Sequence, residues 1–177
     1  RAEAITAAVR FAEVPVIVTI RPRWEGGNSG GSDEERLALF QAALAAGANL
    51  IDVEWVAWQR TAAFRTQLLP ELRARNARLI LSNHDFEKRP ADLAERIAAL
   101  CEITDADIVK VAWQARDPRE ARVALELTRR AAQRGHAVLA LAMGEAGQMS
   151  RLLAGKVDAP FTVAALPAAG ESAPGQP

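Results

Sequence analysis

An α/β fold on a parallel sheet is what the 177-residue sequence predicts, from three observations. Short β-rich runs alternate with longer stretches of helical period along the whole chain. Those runs are apolar on both parities, as in Leu79-Ile80-Leu81 and Ile108-Val109-Lys110-Val111-Ala112, which suits strands covered by helices on both faces. Helix start and stop signals fall between them.

The elements follow in order. Residues 1–11 alternate charge and alanine in a helical pattern. Six strands are predicted, at residues 14–21, 49–56, 78–83, 107–113, 137–143 and 161–166. A helix over 33–46 has Ser32 as N-cap, Glu35 closing a capping box and Gly47 as its stop, with Leu37, Phe40 and Leu44 as its buried stripe. Residues 60–76 are helical in period, but Pro70 lies inside them and predicts a kink or two segments. Pro90 opens a helix reaching Cys101, with Leu93, Ile97 and Leu100 at helical spacing, and Pro118 opens another that Gly135 closes. Repeated βα units lead to an open doubly wound sheet or to a (β/α)8 barrel, and periodicity does not choose between them.

Composition narrows the function classes. Twenty-two Lys and Arg balance 22 Asp and Glu, so the basic excess expected of a nucleic-acid protein is missing. The lone Cys101 rules out a disulfide within the chain and a cysteine-based zinc cluster, and it suits a reducing, cytoplasmic compartment. No apolar run approaches the roughly 20 residues that span a bilayer, so no membrane association is expected. One domain over residues 1–177 is the default, and an opening at Arg1 suggests a chain that starts inside a larger unit. Residues 167–177, rich in Pro, Gly and Ala, resemble a linker by composition.

In such folds chemistry gathers at the C-terminal ends of strands and in the loops that follow. Strand one runs through Arg21 and Glu25 into Gly26-Gly27-Asn28-Ser29-Gly30-Gly31. This stretch lacks the Lys-Ser/Thr of a P-loop, and a flexible loop is the commoner meaning. His84 ends strand three, where proton transfer and a structural role are about equally plausible, whereas His136 precedes a strand and reads as a bystander. Lys110 stands inside an apolar strand. A lysine there is either paired, or used with a depressed pKa as a nucleophile towards carbonyls, or snorkels from an edge strand. Asp52 and Glu54 share a strand face and read as support for Lys110. Arg151, after strand five, suits a substrate carboxylate, although an exposed helix arginine is the commoner case.

Taken together, these segments resemble the type I 3-dehydroquinate dehydratases over nearly the whole chain. Five motifs occur in the family's order: Arg-x-x-x-Glu-Gly-Gly at residues 21–27, Ser-x-His-Asp-Phe at 82–86, Ala-Asp-Ile-Val-Lys at 106–110, Met-Gly-x-x-Gly-x-x-Ser-Arg at 143–151, and Ser-Ala-Pro-Gly-Gln at 172–176. The resemblance implies a (β/α)8 TIM barrel with about six of its eight βα units present, the family's first two strands having no counterpart here. It implies a lyase of the shikimate pathway, serving aromatic amino-acid biosynthesis, that turns 3-dehydroquinate into 3-dehydroshikimate through a Schiff base on Lys110. His84 would move the protons and Glu25 would orient it. Arg21, Arg151, Ser172 and Gln176 would bind substrate, the last two from a covering loop at 167–177. Neither metal nor diffusible cofactor is implied. A homodimer is implied, and so is possible fusion to a shikimate dehydrogenase. The departure at Trp113-Gln114 implies a pocket of different size. Another aldolase-like Schiff-base barrel, or an inactive truncated remnant, is the alternative.

Overall fold

A computed structural model describes residues 1–165. They fall into two compact units, one of residues 1–82 and 104–107, the other of residues 83–103 and the chain from Ile108 onward.

In the first unit, α1 (Ala2–Arg10) leads to a short β1 (Ile17–Thr19). The strand is shorter than predicted because Pro15 lacks an amide hydrogen and the backbone of Arg21 is drawn into a turn, accepting from the amide of Ser29 at 3.0 Å. Helix α2 (Asp33–Ala46) forms as predicted. The Ser32 hydroxyl accepts from the Glu35 amide, the Glu35 carboxylate returns the bond, and Gly47 ends the helix at φ 107°. Strand β2 (Leu50–Glu54) stops two residues early because Trp55 opens α3 (Trp55–Arg60). Pro70 splits the next stretch as expected. A π-helical turn (Phe64–Leu68) precedes α4 (Leu69–Ala74), and Pro70 lies in the first turn of α4, where its missing donor costs little.

Strand β3 (Arg78–Asp85) pairs parallel with β2, as β2 does with β1. The register sets Thr19 beside Asp52, Asp52 beside Ile80, and Glu54 beside Ser82. Strand alternation then sends Ile51, Val53, Leu79 and Leu81 to one face and Asp52, Glu54, Ile80 and Ser82 to the other. The first set is fully buried.

In the second unit, α5 (Leu93–Cys101) starts three residues after Pro90, with Asp92 as its N-cap. Strand β4 (Ile108–Gln114), helix α6 (Arg119–Ala132) and strand β5 (Val138–Met143) form a βαβ unit with parallel pairing. Past β5 come a 3-10 turn (Glu145–Gly147), α7 (Met149–Leu152) and a second 3-10 turn (Ala154–Val157). Among the described residues, the sixth predicted strand does not appear. Residues 161–165 are irregular, and Phe161 and Val163 meet their apolar needs by packing on Ala112, Leu139, Leu141 and Met143 instead of joining a ladder. Among the described residues, no helix is long and apolar enough to cross a membrane.

Candidate active site

The glycine-rich segment after β1 folds back on itself as a clasp, and the amides of Gly26, Gly27 and Ser29 are bonded to nearby carbonyls and not turned to a phosphate. The amides of Glu25 and Gly27 donate to the Pro22 carbonyl at 3.1 and 2.9 Å, Gly26 to Arg23 at 3.1 Å, and Arg23 to Ser29 at 3.0 Å. A Cβ at Gly27 would lie 2.1 Å from the Arg21 carbonyl oxygen, so only glycine allows the close return. Within this clasp, the 3-10 turn Arg23–Glu25 turns Trp24 outward at 45% exposure and buries Glu25 at 5%. Arg21 sits half-buried at the start of the clasp, its Nε buried without a hydrogen-bond partner among the described residues.

Beside it lies an ion network whose hub sequence reading did not name. Arg36 of α2 is wholly buried, with its guanidinium over the rings of Phe40 and Phe64 at 5.8 and 5.9 Å. It donates to the Ile20 carbonyl at 2.8 Å, to Asp33 at 2.9 Å, and to the Glu54 carboxylate. Asp33 also accepts from Arg60 at 2.8 and 3.1 Å and from the Thr61 hydroxyl at 2.6 Å. Burial would raise the Asp33 pKa, but these donors and the charge of Arg60 outweigh it and hold the carboxyl low. Glu54 goes the other way. Burial pushes it up to about 7 against the pull of Arg36, with the charge of Asp52 adding to the rise. One guanidinium shared with Asp33 returns less than full desolvation costs.

In the second unit, Lys110 is 8% exposed and lies in register with Leu139, as Ala112 does with Leu141 and Gln114 with Met143. Alternation therefore puts Lys110 on the strand face of the apolar cluster Ala112, Leu139, Leu141 and Met143. The opposite face meets helices: the Trp113 indole donates to Glu120 at 2.8 Å and the Ala140 amide to the Thr128 hydroxyl at 3.1 Å. Trp113 thus points away from the Lys110 face and does not set the size of a pocket there. Phe86 packs against the cluster, and the buried His84 ring stacks beside it with centroids 6.2 Å apart and planes at 21°. Arg151 is buried in α7, not exposed, and donates to the Val163 carbonyl at 3.2 Å, which ties it to a residue of the same cluster. His84, Lys110 and Arg151 are therefore linked through one apolar cluster. Ser172, Gln176 and the proposed loop at 167–177 lie outside the described residues.

A model of the type I 3-dehydroquinase family matches residues 2–177. The chain belongs to that family. Among its relatives, the bifunctional 3-dehydroquinate dehydratase/shikimate dehydrogenase of Arabidopsis thaliana is 32% identical, over 99% of this chain and 28% of that protein. The 3-dehydroquinate dehydratase of Desulfotalea psychrophila is 37% identical, over 77% of this chain and 60% of the other. That of Methanococcus maripaludis strain C7 is 33% identical, over 94% and 73%. The chain thus spans 28% and 60% of the length of the first two of these relatives. Among solved structures, the 3-dehydroquinate dehydratase of Geobacillus kaustophilus superposes with a TM-score of 0.82 at 27% identity, over 99% of this chain and 69% of that one. The type I enzyme of Clostridium difficile gives 0.80 at 24% identity, over 99% and 70%, a likeness of fold. The barrel class expected from the sequence stands for this type I 3-dehydroquinase family member. Arg36 escaped sequence reading because helix arginines are usually exposed; its place four residues before Phe40, on the buried stripe of α2, was the available signal.

Proposed function

We propose that the chain dehydrates 3-dehydroquinate to 3-dehydroshikimate through an imine on Lys110. The observation that carries this reading is a lysine on a buried strand, on the face of an apolar cluster that also holds the Phe86 neighbour of a buried histidine. The Lys110 amine adds to the C3 ketone and water leaves, giving a protonated imine that draws electrons from C2. His84 takes the C2 proton and the pair flows to the imine nitrogen as an enamine. The enamine expels the C1 hydroxyl, His84 returns a proton to it, and water departs. Hydrolysis of the imine frees the product and restores the amine. Glu25 orients His84, and Arg21 and Arg151 hold substrate oxygens, with Ser172 and Gln176 closing over the ring and excluding water from the imine.

The lysine itself supplies the electrophilic catalysis in this scheme. Family membership supports the substrate class. A cytoplasmic homodimer, alone or fused to a shikimate dehydrogenase as in the Arabidopsis relative, completes the reading. The test is borohydride reduction in the presence of 3-dehydroquinate. Substrate-dependent added mass on the peptide carrying Lys110, together with formation of the ultraviolet-absorbing enone, is the expected result. Labelling at Lys88 or Lys156 instead would defeat it.

A further inference from the structure

We infer that Arg60 is a positioning residue for this reaction, acting through Trp24 on Glu25. The inference rests on the role proposed for Glu25. Trp24 and Glu25 are consecutive in the 3-10 turn Arg23–Glu25, where successive side chains diverge by about 120°. One therefore faces out while the other is buried. The turn is tied by its own backbone bonds and moves as a small rigid piece, so whatever holds the Trp24 ring also sets the carboxylate.

That hold is Arg60. Its guanidinium carbon lies 4.6 Å from the centre of the Trp24 ring. Half-exposed guanidinium groups ordinarily rotate freely, but this one is gripped in two places by Asp33, at 2.8 and 3.1 Å. Asp33 is fixed in turn by Thr61 at 2.6 Å and by the fully buried Arg36 at 2.9 Å. A series of ion-pair and guanidinium–ring contacts thus runs from the packed rings of Phe40 and Phe64 through Arg36, Asp33 and Arg60 out to Trp24, the chain neighbour of Glu25. A surface stack with no consequence for the site would need neither the bidentate grip nor the buried anchor behind it. The flat fork of arginine supplies both a ring-covering face and two in-plane donors, which lysine does not.

The test compares Arg60→Ala, Arg60→Lys and Trp24→Leu, each in the otherwise unchanged chain and in a Glu25→Gln background, by steady-state kinetics with 3-dehydroquinate and by thermal melting. Small misplacement of a catalytic group lowers turnover by roughly tenfold to a hundredfold. We expect that loss in kcat for Arg60→Ala and Trp24→Leu with KM within about twofold, and an intermediate loss for Arg60→Lys. In the Glu25→Gln background neither replacement should lower kcat further, because the group they align is already gone. Trp24→Leu leaves the Asp33 network untouched, so it decides the matter even if Arg60→Ala folds poorly. Normal kcat in Trp24→Leu, or undiminished extra losses in the Glu25→Gln background, would overturn the inference. An unsubstituted chain that forms neither imine nor enone would instead overturn the proposed function, and this role with it.

Discussion

At the scale of single residues, the polar groups divide by what burial does to them. Glu54 is enclosed and, among the described residues, forms its ion pair with Arg36, whereas Asp33 gathers several donors. Removing one partner of a buried pair leaves the other charge stranded, which costs about 3–5 kcal/mol. Arg36→Met should therefore destabilise the chain by about that amount, measured by urea unfolding, while Glu54→Gln costs far less because it removes the charge that burial penalises. His84 belongs at this scale too. If it moves protons, His84→Ala should lower turnover by about a hundredfold to ten-thousandfold, the usual loss for a general acid/base. A variant with near-normal turnover would return His84 to a structural role.

At the scale of elements, α7 carries Arg151 yet is only four residues long, too short to hold its place by its own hydrogen bonds. Ser150 fastens it. Its buried hydroxyl donates to the Gly147 carbonyl at 2.7 Å and accepts from the Ala142 amide of β5 at 3.1 Å. Gly147 lets the turn approach the strand, since a Cβ there would lie 2.1 Å from the Ala142 carbonyl oxygen. Ser150→Ala should cost about 1–3 kcal/mol for the stranded groups. It should also raise KM for 3-dehydroquinate more than it lowers kcat, if Arg151 binds substrate as proposed, because it loosens that arginine and leaves Lys110 alone. Equal KM values for the variant and the unsubstituted chain would remove Arg151 from substrate binding.

For the molecule as a whole, the Glu54 shift becomes a pH dependence of stability. The carboxyl is raised from 4.5 to about 7 on folding, so its stabilising contribution is complete below 4.5 and is lost as pH rises through 7. At about 1.4 kcal/mol per pKa unit, the loss is on the order of 3 kcal/mol. Asp33 acts oppositely: held below its ordinary 3.8, it contributes stability above that value and loses it only on acidification. Melting temperature should therefore fall between pH 4.5 and 7, and Glu54→Gln should flatten that slope. An unchanged slope in the variant would show that another group dominates.

What could be read from the sequence is what neighbouring residues impose on one another. The alternation of strands and helices, the Ser32–Glu35 capping box, the break at Pro70 and a lysine amid strand residues are all short-range patterns, and all reappear in the fold. Local pattern did not disclose partners distant along the chain. Arg36 meets Glu54 eighteen residues away, and the Trp113 indole turns to Glu120 and not to the Lys110 face. The glycine-rich segment looked mobile because backbone-to-backbone bonds leave no side-chain signature. The apolar run beginning at Phe161 looked like a strand because hydrophobicity records the need for burial and not the means of achieving it. Only the tertiary structure decided those cases, since long-range pairing depends on which surfaces the packed elements bring within reach.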